Sequence, residues 1–226
     1  MNEKGLLAFP EFDNVTKYLK SGERTEVTEY IREAVEQVQG DTDGLLVRNL
    51  LVWMNQNTER IHNSKDRRKF TRTAEEILLS GERTGCCDSS TLFTALARSK
   101  NIPAMQIITL GKDWVKKLDR REETKTESHY FTACYIRNVA DDGEWVLIDS
   151  DKPVLDARDV NLTKLKLEDR NLDRKFYAFA YARDYSDIEV DGTKIDSIEN
   201  MRKILYKAYV ECDREDFKSK ELGEER

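Results

Sequence analysis

The sequence predicts an α+β domain in which an antiparallel sheet packs on a central helix. Three observations carry that reading. Helical apolar spacing dominates the first hundred residues, and strand-like runs follow one another after Met105. Asp141-Asp142-Gly143, between two of those runs, has the turn chemistry of a hairpin, which joins antiparallel neighbours.

Taken in order, Val27, Tyr30, Ile31, Ala34, Val35 and Val38 recur at helical spacing, and Gly40 follows as a stop. A second helix is expected after Asp43, burying Leu46, Leu50, Trp53 and Met54 and fading near Asn57. Lys65-Asp66-Arg67-Arg68-Lys69 reads as a solvated basic loop. Thr73-Ala74-Glu75-Glu76 has capping-box spacing and opens a short helix ended by Gly81. After Cys86, the positions Leu92, Phe93, Leu96 and Ala97 form one apolar helical face. Asn101-Ile102-Pro103 ends that helix, because asparagine tolerates a left-handed C′ conformation and proline cannot continue a helix.

Met105 to Leu110 is expected to be a buried strand ended by Gly111, and residues 112–128 a long charged surface loop. Three more strands are expected over Tyr130–Arg137, Trp145–Asp149 and Phe176–Arg183. A final helix should run from about Ile195 to Val210, followed by a polar tail that frays. This organisation divides the chain into an N-terminal helical extension (1–40), a core (41–190) and a C-terminal helix with its tail (191–226).

Composition narrows the classes of function. The chain has 226 residues, with 38 Lys+Arg against 44 Asp+Glu and a net charge of −6. The pI is near 5.3, and the charges are interspersed. That balance argues against a nucleic-acid partner, which would call for a basic surplus or stripe. No apolar run approaches the ~20 residues of a membrane span, so no membrane partner is expected. The apolar stretch at Leu6–Phe9 is too short for a signal peptide. Four cysteines, two of them adjacent, make no disulfide framework, so a reducing, cytoplasmic location is expected. No C-x-x-C or H-x-x-x-H pair is present, and neither a metal nor a cofactor is expected.

The chemistry concentrates at Thr84-Gly85-Cys86-Cys87-Asp88. A cysteine at a helix N-terminus meets unpaired N–H groups and the positive end of the macrodipole, which favour a thiolate. His129 opens a later strand and Asp149 closes the next, so cysteine, histidine and aspartate occur in the order of a thiol-nucleophile triad. His62, at the polar end of a helix, reads as structural, as do Cys134 inside a strand and Cys212 near a helix end. Trp145 reads as core packing or a cleft wall.

Three segments together resemble the transglutaminase-like superfamily of papain-type cysteine enzymes. They are Gly85-Cys86-Cys87-Asp88 leading through Arg98 to Ile102-Pro103, then Ser128-His129-Tyr130-Phe131, then Gly143-Glu144-Trp145-Val146-Leu147-Ile148-Asp149. The resemblance implies a papain-like fold, with Cys86 as nucleophile, His129 as general base and Asp149 orienting the imidazole. Cys87 competes for the first role, since many members place the glycine two residues ahead of the nucleophile. Asp151 competes for the third, because Ser150-Asp151 replaces the usual proline. The resemblance also implies an oxyanion donor upstream, for which Asn55, Gln56 and Asn57 are of suitable type.

The expected activity is hydrolysis of a peptide or carboxamide bond through a thioester, with a peptide or protein as substrate. The alternatives within the class are transamidation and deglycosylation of an amide-linked sugar. From another class comes a non-catalytic protein-binding module on the same fold.

Overall fold

The computed structural model describes residues 13–61, 68–137, 142–166 and 169–212. Helix α1 spans Glu29–Ala34, and Thr28 caps it by accepting the Ile31 N–H. Helix α2 spans Asp43–Asn57 with Thr42 as its cap, and Val47, Leu50, Leu51 and Met54 are its buried residues. Leu46 and Trp53, expected inside, pack only at the margin of that core. A two-residue strand, β1 (Glu59–Arg60), follows.

Helix α3 (Ala74–Ser80) has the complete capping box, with Thr73 and Glu76 each accepting the other's backbone N–H, and it ends at Gly81 in the left-handed conformation. Strand β2 (Glu82–Arg83) then pairs parallel with β1 and leads into helix α4 (Cys86–Ser99). The apolar spacing predicts one buried face for α4, but every residue from Cys87 to Arg98 is buried. Its non-apolar faces carry Ser89, Ser90, Thr91 and Thr94, small enough to sit inside, and the first three spend their hydroxyls on neighbouring polar groups. Asn101 adopts φ +61° after the helix, as its type allows.

Strand β3 (Ala104–Gly111) is buried throughout. Residues 112–128 do not form one loop, because Lys112–Asp119 is helix α5. Its signal is short: Trp114, Val115 and Leu118 line one face at i, i+1 and i+4, and they are masked in the sequence by five surrounding charges. Strands β4 (Tyr130–Arg137) and β5 (Gly143–Ile148) form the expected antiparallel pair. Gly143 opens β5 and Asp149 lies one residue beyond it; position 141 of the turn falls outside the described residues.

Short β6 (Thr163–Lys164), then β7 (Phe176–Ala182), complete a five-stranded sheet in the order β6-β5-β4-β3-β7. A small hairpin, β8 (Glu189–Val190) with β9 (Thr193–Lys194), precedes helix α6 (Ile198–Glu211), which Ser197 caps. The residues of the expected C-terminal tail from 213 onward lie outside the described residues, as do His62 and Lys65 to Arg67.

Helix α4 is the centre of this arrangement. Its Leu92 and Leu96 share one apolar core with Ile31, Leu50, Cys134 and Ile148, so helices α1 and α2 cover it on the side away from the sheet. The opposite face of the sheet is sealed by Tyr18, Met105, Phe131 and Trp145. Trp145 is core packing, edge-on to Tyr18 with ring centroids 5.2 Å apart. Near its C-terminal end α4 is fixed by Arg98, buried and donating to the carbonyls of Tyr18, Ala104 and Arg183 and to Thr25 Oγ1. Burial lowers the Arg98 pKa to about 10, with the charge of Asp184 working the other way. Among the described residues, no helix is long and apolar enough to cross a membrane.

Candidate active site

Gly85 makes the turn from β2 into α4 at φ +155° and ψ −171°, a conformation open in practice only to glycine. Cys86 is therefore the first residue of the helix, and it is partly exposed. Its neighbour Cys87 points into the apolar core with Ile108 and Tyr130. Burial, then the charges of Asp88 and Cys86, push the Cys87 thiol well above its ordinary range.

The helix start has no side-chain cap, but Asp88 in its first turn reaches back to Thr84, accepting from its N–H at 2.8 Å and its hydroxyl at 2.6 Å. Asp88 is also paired with buried Arg72, which compensates its charge. The positive end of the helix beside Cys86 is thus not cancelled by a lone carboxylate.

His129 enters from the other side, just ahead of β4. Its backbone is tied to Thr109 at both ends, the N–H donating to Oγ1 at 3.1 Å and the carbonyl accepting from the Thr109 N–H at 3.1 Å. The imidazole stacks on Phe176 at 5.3 Å and meets the edge of Phe131 at 4.6 Å. Its Nε2 lies 2.8 Å from Asp149 Oδ1, which leaves Nδ1 for Cys86. Burial lowers the imidazole pKa; hydrogen bonding to Asp149 and to Cys86, with the charges of both, overrides it and carries His129 from 6.5 to about 10. Burial raises the Asp149 carboxyl, but His129 and the Asp151 N–H hold it below its ordinary value.

The fold thus brings Cys86, His129 and Asp149 together. It also separates the two aspartates. Asp151 is buried and turned away from the imidazole, accepting from Arg60 Nε at 3.0 Å, Arg60 Nη2 at 2.5 Å and Ser89 Oγ at 2.8 Å. The turn after β5 explains the choice. With Thr132 opposite Ile148, the same register carried on would set Asp151 opposite His129, but the ladder ends at Ile148 and the chain turns, the Lys152 N–H donating to the Asp149 carbonyl at 3.2 Å, so Asp149 meets the imidazole.

A family model described as the transglutaminase-like superfamily matches residues 29–150, a span that contains all three side chains. The chain belongs to the transglutaminase-like superfamily. Its fold is also similar to the crystal structure of a candidate cysteine protease from Cytophaga hutchinsonii, with a TM-score of 0.53 and 18% identity over 81% of this chain. The chain spans about half of that protein, 53% of its length. No curated protein matches the chain.

Within this transglutaminase-like site, three parts were not read from the sequence. Arg60 comes from a two-residue strand with no strand-like composition, Ser89 reads as a helix hydroxyl, and Phe176 reads only as the start of a strand. Two of the asparagines considered as oxyanion donors are engaged elsewhere: Asn55 Nδ2 donates to the Leu51 carbonyl and Asn57 Nδ2 to the Trp53 carbonyl, each one turn back along α2. Gln56 is exposed. A groove of about 770 Å³ lined by Val15, Tyr135, Trp145 and Leu165 includes none of the three site residues. Among the described residues, no group of His, Cys, Asp and Glu has the arrangement of a metal site.

Proposed function

We propose that this protein is a thiol-dependent hydrolase that cleaves a peptide or carboxamide bond through Cys86, His129 and Asp149. The observation that carries the reading is the partly exposed Cys86 at the head of a buried helix, beside an imidazole whose far nitrogen is held by Asp149 at 2.8 Å. A His129 pKa of about 10 means that the ring carries its proton at neutral pH, as an imidazolium beside a thiolate would.

In that state the Cys86 sulfur attacks the carbonyl carbon and forms the C–S bond. The oxygen of the tetrahedral intermediate is met by backbone N–H groups at the start of α4, which have no partner within the helix. His129 gives its proton to the leaving nitrogen as the C–N bond breaks, releasing an amine or ammonia and leaving a thioester. The neutral imidazole then takes a proton from water, whose oxygen attacks the thioester. The acid departs, and the proton left on His129 restores the starting pair. Asp149 fixes the tautomer and stabilises the charged ring throughout. Asn55 and Asn57 take no part in this scheme.

A library of glutamine- and asparagine-containing peptides, offered with a millimolar primary amine, tests the reading. Hydrolysis products or ammonia exceeding amine incorporation, both abolished by Cys86→Ser, are the expected result. Incorporation in excess would make the enzyme a transglutaminase. Failure of every peptide, with Cys86 no more reactive than a buried thiol, would make the domain a binding module.

A further inference from the structure

We propose that Asp151 is a positioning residue: through Ser89 it locks the turn carrying Asp149 to the first turn of the nucleophile helix. The proposal rests on the triad reading given above. Ser89 stands three residues beyond Cys86, on the same side of α4. Its hydroxyl accepts from Arg83 Nη1 at 3.1 Å, and a guanidinium can only donate. The Ser89 proton is therefore directed to Asp151 Oδ1, 2.8 Å away. Arg83 is itself held by Asn55 Oδ1 and the Thr58 carbonyl, so the hydroxyl is oriented from a fixed, fully buried base.

Asp151 transmits this to the site. Both its oxygens are occupied, Oδ1 by Ser89 and Arg60 Nε and Oδ2 by Arg60 Nη2, which leaves the carboxylate no freedom to rotate. Its backbone N–H donates to Asp149 Oδ1 at 3.3 Å, the same oxygen that meets His129 Nε2. Asp149 lies just past the end of β5, beyond the sheet ladder, so the strand pairing alone does not fix it. A second tie runs alongside, from Ser90 to Thr132 at 3.0 Å and from Thr132 to Ser150 at 3.5 Å. The distance between the thiol and the aspartate is thereby set by hydrogen bonds, where a shift of about 1 Å can cost roughly a hundredfold in rate.

The test follows the His129 ring by NMR in the full chain, which has only two histidines, with a His62→Gln control to assign the signals. The charged or titrating groups that act on the ring or on its aspartate partner are Asp149, Cys86, Arg60 and Lys152. Ser89→Ala alters none of these charges and should lower the His129 midpoint by about one pH unit, a displaced ion-pair partner being worth that much. Ser89→Thr, which keeps the hydroxyl, should restore it. Asp151→Asn should act in the same direction, and in an Asp149→Asn background Ser89→Ala should add no further shift.

A Ser89→Ala protein that loses thermal stability but titrates His129 at the native midpoint would overturn the proposal and make the contact purely structural. If Asp151→Asn does not fold, the Ser89 pair decides alone. The two readings fail separately. A midpoint moved by Asp149→Asn but not by Ser89→Ala removes only the positioning role, whereas a midpoint near 6.5 that Asp149→Asn leaves in place removes the triad as well.

Discussion

His129 Nε2 and Asp149 Oδ1 lie 2.8 Å apart although neither belongs to a strand: one residue precedes β4 and the other follows β5. Antiparallel pairing brings the start of one strand beside the end of its neighbour, and the turn that ends β5 leaves Asp149 on the ring while Asp151 pairs with Arg60 and Ser89. The contact is therefore a product of strand pairing and of the turn that follows it, and its consequences can be measured.

The four thiols should differ sharply in reactivity. Burial pushes Cys134 up to about 12 and Cys87 well above its ordinary range, and Cys212 is also buried. Iodoacetamide at pH 7 should label Cys86 first, with the adduct located by mass spectrometry. Cys86→Ser should reduce turnover by about 10³-fold or more. Dominant labelling of Cys87 would reassign the nucleophile.

The His129 titration should sit well above 6.5, near 10, and should fall in Asp149→Asn. A raised pKa in the folded state contributes stability that is complete below 6.5 and is lost as pH rises through about 10. The lowered Asp149 pKa works in the other sense, adding stability above its ordinary value near 3.8 that is lost as pH falls through the folded value. The stability gap between the native protein and Asp149→Asn should thus be widest around pH 5 to 6 and narrow towards pH 10. Urea melts at several pH values would show it; a gap independent of pH would contradict the pairing.

Gly85→Ala should be disproportionately harmful. A Cβ there has room, its nearest neighbour being Lys69 Nζ at 3.5 Å, so the penalty is one of backbone conformation. Holding alanine at φ +155° costs on the order of 1–3 kcal/mol, and relaxing that strain moves Cys86. Loss of alkylation selectivity with most of the stability retained is the expected outcome, read by labelling and thermal melting.

Removing Arg72 should destabilise the whole domain. Its partner Asp88 is 2% exposed, and Arg72→Met leaves that carboxylate buried without its cation. Such a loss costs about 3–5 kcal/mol. Asp88→Asn together with Arg72→Met should recover part of it, and a double-mutant cycle by denaturant unfolding gives the coupling.

The parts legible in the sequence were those fixed by local chemistry. Thr73 and Glu76 announce a capping box, Asn101-Ile102-Pro103 a helix stop, and Tyr130–Arg137 a strand, because each depends on neighbours in sequence. Family membership was readable from three segments because the motif residues are themselves local. Helix α5 was hidden by its charges, since three apolar residues are a weak periodic signal among lysines and aspartates. Arg60 and Ser89, as partners of Asp151, escaped for a different reason. Their pairing joins positions 91 and 62 residues apart, and nothing in the composition around Glu59-Arg60 marks it as part of a site.

The complete burial of α4 from Cys87 to Arg98 assigns the two sides of the site different mobilities. Amides beyond the first turn of this helix can exchange with solvent only when the core itself opens, whereas the segment at 120–128, just ahead of His129, lies outside helix and sheet and opens at lower cost. The sulfur is the fixed reference point of the centre. Any adjustment to an incoming amide falls to the segment ahead of the imidazole rather than to the turn that Asp151 ties to the helix, and deuterium uptake should be slowest in the buried turns beyond Cys86 and faster across 120–128.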